Sequence, residues 1–356
     1  MSKDVHVPGI DYRPAAANDI GHPAAAPRGI PTVSCVIPVL DDAARLRRCL
    51  ASIARSEYPV ERLEVIVVDN GSRDGSDRVA LETGARLLSC PGLRVAALRN
   101  RGAAAAGGEV LAFIDADHEI DPGWMACAIE DLSRPAVGAV GAPYLVPAVA
   151  TWVQRAFDGM RHLRAGCFEA EWLASGNMAV WHREFERLHG FDEGLETCED
   201  YDLCQRLRAG GLRLLSDDRL KSVHYGDPAT LRQLFRTQLW HGRDNLRAGL
   251  RGPLTLRGLP SLLIPVVELG LLAAGVGGLL AAPAGLPLAA SAPLGIGALA
   301  ALRAGLMTAH RPGARPIDVL QAFAVACVYD VARALALVYG ASHPRSEDDG
   351  AGIQTA

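Results

Sequence analysis

Three short, nearly continuous apolar runs mark the first third of the chain: Val33-Ser34-Cys35-Val36-Ile37-Pro38-Val39, Glu64-Val65-Ile66-Val67-Val68 and Val110-Leu111-Ala112-Phe113-Ile114. Their length and β-branched content predict strands buried on both faces. Between them, Asp42 to Ala54 carries Leu46, Leu50 and Ile53 at helical spacing, and Asp74–Thr83 and the small-residue stretch Ala96–Ala106 predict two more helices. Leu87-Leu88 reads as a brief strand. Strands alternating with helices imply an α/β fold, a Rossmann-like and mostly parallel sheet covered on both sides. The second half is less regular. Leu203 to Ala209 reads as a helix stopped by Gly210-Gly211, and Leu212 to Leu215 as a short strand.

The last third has a different pattern. Leu259 to Ala282 is apolar except for Glu268, and Leu286 to Met307 except for Arg303. Each exceeds the roughly 20 residues needed to cross a bilayer, with a Pro/Gly turn around Pro283 between them. Ile317 to Tyr339 is apolar too but carries Asp330 and Arg333. Charges inside a span are costly, so this segment is expected to lie in or on the membrane rather than cross it. Arg232, Arg236, Arg243, Arg247, Arg251 and Arg257 precede the apolar region, and His310-Arg311-Pro312-Gly313-Ala314-Arg315 follows its second segment. Positive flanks face the cytoplasm. The expected location is therefore the cell inner membrane, with the α/β domain on the cytoplasmic face. A soluble helical subdomain is the competing reading of the same Gly-, Ala- and Pro-rich segments.

The domain plan that follows is a flexible tail over 1–30 without a signal-peptide apolar segment, an α/β domain over 31–227, and a basic amphipathic linker helix over 228–258. Membrane helices over 259–340 and a tail over 341–356 complete it. Composition supports this plan: 356 residues, 49% hydrophobic, are enough for one large domain and more. A net charge of −4 gives no reason to expect a nucleic-acid partner. The eight cysteines are scattered, with no CxxC pair and no histidine cluster beside them. That argues against zinc and against a disulfide framework, and fits a reducing compartment.

Ligands bind beyond the carboxyl ends of strands in such sheets. Those ends here carry Pro38-Val39-Leu40-Asp41, Asp69-Asn70-Gly71-Ser72 and Asp115-Ala116-Asp117. Two aspartates one residue apart can hold a hard divalent cation, Mn²⁺ or Mg²⁺, with positions left for substrate phosphates. A diphosphate leaving group needs that neutralisation. Glu199-Asp200 offers a carboxylate that could take a proton from an attacking hydroxyl, or could simply cap a helix near Tyr201. His224 could complete a metal shell or be structural. Asp69 could bond a base or ribose, or stabilise its own turn.

Taken together and in order, these motifs resemble family 2 glycosyltransferases with the GT-A fold. The resemblance runs over roughly residues 32 to 226 and rests on several stretches. They are Val33–Val39, Leu46, Leu50 and Ser52, Glu64 through Gly75, Ala97-Leu98-Arg99-Asn100-Arg101-Gly102 with Ala106-Gly107-Gly108-Glu109, and Cys198-Glu199-Asp200-Tyr201-Asp202-Leu203. It implies an inverting displacement on a nucleotide-diphospho-sugar, a UDP-sugar being favoured. Pro38, Val39, Asp41, Asp69, Arg99, Asp115 and Ala116 would then be donor-binding. Asp117, Asp115 and His224 would be the metal site, with Asp200 the general base beside Glu199. Ser175, Gly176 and Asn177 would line the acceptor side.

There are departures. Leu40-Asp41-Asp42 stands where the family usually has Asn, and Asn70 replaces a frequent second Asp. The processive enzymes' Gln-x-x-Arg-Trp motif is poorly matched by Gln238-Leu239-Trp240-His241-Gly242-Arg243. The poor match leads to the expectation of a single-sugar transfer, and the C-terminal apolar segments to that of a lipid-linked or membrane-proximal acceptor. The rival functions are a sugar nucleotidyltransferase, which would want a basic phosphate loop where Asp41-Asp42 stands, and a non-catalytic nucleotide-sugar-binding scaffold.

Overall fold

A computed structural model describes residues 29–161, 164–250, 259–281, 286–309 and 313–342. Most of both expected tails, the Pro283 turn, Arg251, Arg257 and His310 to Pro312 lie outside those residues. The first half follows the apolar pattern closely: β1 (Val33–Val39), α1 (Ala43–Ala54), β2 (Leu63–Asp69), α2 (Ser76–Glu82), β3 (Arg86–Ser89), α3 (Val95–Ala105) and β4 (Val110–Ile114). After it come β5 (His118–Ile120), α4 (Trp124–Leu132), β6 (Val137–Gly141), α5 (Trp152–Asp158), β7 (Cys167–Ala170), β8 (Asn177–Trp181), α6 (His182–Arg187), α7 (Glu199–Ala209), β9 (Arg213–Asp217) and β10 (Ser222–His224).

The main sheet has the strand order β3-β2-β1-β4-β8-β6-β9-β7, and β10 pairs with β5 in a second small sheet. β1 lies parallel to β2 and β4, with Val39 opposite Asp69. Pairing of β1 with β4 ends at Val36, so Pro38, which has no N–H, falls past the two-sided part of the ladder. The sheet is more mixed than the alternating pattern predicts. β8 runs antiparallel to both β4 and β6, and β7 antiparallel to β9. Among the described residues between β6 and β8 stand the seven-residue α5 and the strand β7, and no covering crossover helix, so nothing forces a parallel course.

Alternate residues of each strand feed two cores. Cys35, Ile37 and Val39 meet Leu46, Ile53, Trp124 and Met125 on the α1 and α4 side. Val36, Ile66, Val68 and Phe113 meet Leu98, Leu203 and Leu207 on the α3 and α7 side. Burial of each such large side chain stabilises by about 1.5–3 kcal/mol. α7 begins at Glu199, four residues before the expected start. Cys198 turns the chain at a φ of 65°, and Glu199, Asp200 and Asp202 occupy the first turn, where acidic groups complement the helix dipole.

The expected single linker helix is two helices, α8 (Leu231–His241), opened by a Thr230–Gln233 capping box, and α9 (Asn245–Gly249). Its arginines do not form one solvated face: Arg243 pairs with Glu196 at 3.1 Å and Arg247 donates to the Gly194 carbonyl. Then come α10 (Leu259–Leu280), α11 (Leu286–Ala309) and α12 (Pro316–Ser342). All three are long and apolar enough to cross a membrane, with mean hydropathies of 2.0, 1.4 and 1.7 over their best windows. Of the two charges that set α12 apart in the sequence, that of Asp330 is offset by pairing. Asp330 is buried, and its carboxylate takes Arg303 of α11 at 2.7 Å. These apolar helices suggest membrane association. They also join the α/β domain: Val153 and Ala156 of α5, Leu234 of α8, Ala300 and Ala304 of α11 and Ala322 and Val325 of α12 form one cluster. Small residues there let helix backbones approach closely.

Candidate active site

The carboxyl ends of β1, β2 and β4 meet at one edge, as the sheet order requires. The loops after β1 and β2 are tied together. The Asp41 N–H donates to Ser72 Oγ at 2.9 Å and the Arg73 N–H to Asp41 Oδ1 at 2.6 Å. Asp74 Oδ2 accepts the Ala43 N–H at 2.7 Å, so the first turn of α1 is capped from the other loop. Asp69 is buried and accepts the Gly71 and Ser72 N–H groups, which makes it a turn-builder at this edge. Pro38, Val39 and Ala116 are buried beside it. Asp41 cross-links the loops with its carboxylate; that is the place the structure gives it among the expected donor residues.

Asp115 and Asp117 leave β4 in different directions. Asp117 Oδ2 lies 3.1 Å from His224 Nε2, and its Oδ1 lies 4.0 Å from His118 Nε2. One ligand atom from each of Asp117, His118 and His224 falls within 4.8 Å of the others. Both imidazoles are fixed from behind: His118 Nδ1 meets Ser222 Oγ and His224 Nδ1 meets Asp227 Oδ1, each at 2.9 Å. Asp227 is in turn gripped by both amino groups of Arg161, at 2.7 and 2.5 Å. Such outer partners orient imidazoles so that the free nitrogen faces a ligand. Burial opposes charge at His224, but Asp117 and Asp227 overcome it and push the imidazole up to about 10. Burial likewise opposes the Asp117 carboxylate, and His224 holds it well below the usual range. Burial and the neighbouring His224 hold His118 down to about 4.

Two glycines make room for these carboxylates. A Cβ on Gly226 would collide with Asp117 Oδ2 and sit 2.8 Å from His224 Nε2. One on Gly176 would collide with Asp115 Oδ2. A cradle cleared of side chains, lined by one carboxylate and two oriented imidazoles, fits a divalent cation. The mixed oxygen and nitrogen donors suit Mn²⁺ better than the all-oxygen preference of Mg²⁺.

Asp115 belongs to the other half. Its Oδ1 accepts Arg99 Nη2 at 2.6 Å, and Arg99 Nη1 donates to Glu199 Oε1 at 2.8 Å. The Arg99 side chain is only 4% exposed and both its amino groups are engaged by carboxylates, so it ties Asp115 to Glu199. Next to Glu199, Asp200 accepts the Tyr201 N–H at 2.7 Å and the Ser175 N–H at 3.3 Å, with the Trp172 indole as a further partner. Burial raises the Asp200 carboxyl. Burial, and then Asp200 itself, pushes Glu199 up to about 7, against the pull of Arg99. The loop before them is clamped from the C-terminal side, because Asp244 Oδ2 accepts the Glu196 and Thr197 N–H groups at 2.8 and 3.3 Å.

The structure therefore brings Asp117 with His224, and Asp115 with Glu199 and Asp200. Of the three expected acceptor-side residues, Ser175 touches Asp200 and Gly176 backs Asp115. Asn177 turns inward: it is fully buried, donates to the Ala142 and Leu220 carbonyls and accepts the Trp124 indole N–H at 2.7 Å. With its amide satisfied inside, it holds β8, α4 and the segment before β10 together. Reading by motif missed His118, although it directly follows Asp117, and Asp227, three residues beyond His224. Arg161 and Tyr144, which stack at 4.6 Å behind the imidazoles, carry no sequence signal of their own.

Comparison with known proteins agrees with this geometry. The sequence profile of the Glycosyl transferase family 2 matches residues 34–187. The Pre-mycofactocin glycosyltransferase of Mycobacterium tuberculosis is 31% identical over 67% of this chain and 50% of its own length. The O-antigen biosynthesis protein RfbC of Myxococcus xanthus is 30% identical over 56% of this chain and 18% of its own. The chain thus spans half or less of the length of these curated relatives. Among solved structures, a mannosyltransferase from Pyrobaculum calidifontis, determined in complex with GDP-Man and Mn²⁺, superposes with a TM-score of 0.55 at 22% identity. That superposition covers 85% of this chain and 88% of the other, and it identifies the α/β domain as a GT-A fold. The profile on β1 to α6, the relatives across that span and the shared fold agree in supporting glycosyl transferase family 2 as the family of the α/β domain.

Proposed function

We propose that the chain is an inverting glycosyltransferase. It moves one sugar from a nucleotide-diphospho-sugar to a lipid-linked or membrane-proximal acceptor, on the cytoplasmic face of the inner membrane. The observation that carries this reading is the division of the cleft. A cation cradle of Asp117, His118 and His224 and the carboxylate of Asp200 are linked through Asp115, Arg99 and Glu199. Relatives named for O-antigen biosynthesis and for glycosylation support a role in glycan assembly.

In this reading Asp117, His118 and His224 would hold Mn²⁺ or Mg²⁺, which supplies positive charge for the diphosphate leaving group. The turn at Asp69, with the backbone at Pro38 and Val39, receives the nucleoside. Asp200 accepts the proton of the acceptor hydroxyl as that oxygen attacks the anomeric carbon from the side opposite the diphosphate, which inverts the centre. Arg99 fixes Asp115 and Glu199, so the acceptor and donor ends keep their spacing. The apolar helices α10, α11 and α12 hold the cleft at the membrane, where a lipid-borne acceptor lies. Poor agreement of Gln238 to Arg243 with the processive motif favours a single transfer.

The test is incubation of membranes containing the chain with radiolabelled nucleotide-sugars and a divalent cation. Label should enter the lipid fraction, and Asp200→Asn should abolish it. Turnover retained by Asp200→Asn would remove the base assignment, and pyrophosphate release from nucleoside triphosphates would favour a nucleotidyltransferase instead.

A further inference from the structure

A second set of metal-type donors takes no part in the transfer chemistry. Cys127 and Asp131 lie four residues apart on one face of α4, and Asp217 ends β9. Their ligand atoms fall within 4.8 Å of one another. All three residues are buried, Asp131 completely. Asp131 Oδ1 takes Arg134 at 2.7 Å and Arg219 at 3.3 Å, while Asp131 Oδ2 is buried without a hydrogen-bond partner. Arg219 also holds Asp217 at 3.0 Å and Glu130 at 2.9 Å.

The carboxylates of Asp131 and Asp217 are close enough to share a hydrogen. Two such groups in contact need positive charge beside them; Arg219 Nη2 touches both, at 3.3 and 3.0 Å, and a proton or a cation is the further candidate. Glu130, Asp131 and Asp217 face two guanidinium groups, of Arg134 and Arg219, and one negative charge is left over. A divalent ion with two thiolates leaves that single negative charge unchanged while placing positive charge between the carboxylates, and it also uses the buried sulfur. A second thiol is at hand: Cys167 is the register partner of Asp217, and its Sγ lies 3.4 Å from Arg134 Nη1. Two sulfurs and two carboxylates are a tetrahedral, zinc-class donor set.

We propose that Cys127, Asp131 and Asp217, with Cys167 as fourth donor, bind a zinc-class divalent cation that locks the connection between β9 and β10. Binding converts the thiols to metal-bound thiolates and releases their protons to solvent. The locked segment matters for the cleft. The Asp217 carbonyl accepts the Leu220 N–H, the Leu220 carbonyl accepts Asn177, and Ser222 holds His118. Cysteine spacing argued against zinc; a site of this kind draws its donors from α4, β7 and β9 and leaves no local motif for spacing to register.

The full chain, purified in detergent and stripped with a chelator, should develop a thiolate-to-cobalt charge-transfer band on titration with Co²⁺. The band should appear at one equivalent in wild type, persist in Asp117→Asn, vanish in Cys127→Ser and weaken in Cys167→Ser. Asp117→Asn separates this site from the catalytic cradle, so the result stands whether or not the transferase reading does. Zn²⁺ should raise the melting point of Asp117→Asn by a few degrees through mass action. A folded wild type with no charge-transfer band would overturn the proposal and leave a proton shared by the two carboxylates. A band that survives in Cys127→Ser would overturn it as well.

Discussion

The donor end and the base end of the cleft are built differently. Asp117 leaves a buried strand, and its partners His118 and His224 sit on the paired strands β5 and β10, each imidazole braced from behind. Strands in register fix such atoms with little freedom. The base end rests on a loop and the first turn of α7, stabilised by Arg99 on one side and by Asp244 from the C-terminal segment on the other. One end is held by the sheet. The other is held in part by residues that lead directly to the apolar helices. Both ends also reach the apolar helices, the donor end through Asp227, Arg161 and α5 and the base end through Asp244, so the difference lies in how each end is braced and not in which end meets those helices.

The largest effects should separate the two ends. Asp117→Asn and Asp200→Asn should each lower turnover by roughly a hundredfold to a thousandfold, as removal of a charge stabiliser or a general base does. Steady-state transfer assays check this, and a variant that keeps more than a tenth of wild-type turnover would contradict the assignment. Gly226→Ala should act on the donor end alone. Its methyl intrudes between Asp117 and His224, so metal affinity should fall roughly 10- to 100-fold. Titration calorimetry with Mn²⁺ reads this directly.

Asp244→Ala should act on the base end alone. It strips the acceptor from the Glu196 and Thr197 N–H groups, a local cost of about 1–3 kcal/mol. The expected result is a severalfold fall in kcat with nucleotide and metal binding unchanged; a matching loss of metal affinity would break the comparison. The smallest effect is on pH. Burial raises both Glu199 and Asp200 in the folded chain, Glu199 to about 7, so Glu199 gains its proton as pH falls through that value and Asp200 gains its own above the usual carboxylate range. Activity should therefore decline as pH falls and Asp200 takes up its proton, above the pH expected of an ordinary carboxylate. Stability from these groups runs the other way: it is fully present below their unfolded pKa values and lost as pH rises through their raised folded values, about 7 for Glu199. A flat kcat/KM profile between pH 5 and 8 would count against Asp200 as base.

Much of the donor end was legible in the sequence because it is written locally. Apolar runs predict β1, β2 and β4 nearly to the residue, and their ends name Asp69, Asp115 and Asp117. His224 was found only through the family resemblance, since a lone histidine carries no signal. The base end was half legible. Glu199-Asp200 stands out as a motif, but the tie of Arg99 to Glu199 appears only once folding brings α3 against α7. Asn177 reads as a substrate-facing polar residue, and only the antiparallel entry of β8 shows that it faces the core. The mixed course of the sheet was not legible, because periodicity reports burial and not strand direction. The Cys127 group is the extreme case, with its ligands spread over 90 or so positions and assembled only by tertiary packing.

The most direct test of the account measures Mn²⁺-dependent binding of a panel of nucleoside diphosphates to Asp117→Asn and Asp200→Asn beside wild type. The account predicts that Asp200→Asn binds as wild type does while transferring no sugar, and that Asp117→Asn loses the metal-dependent part of binding. Equal loss in both variants, or full binding by Asp117→Asn, would contradict the division of the cleft into a donor end and a base end.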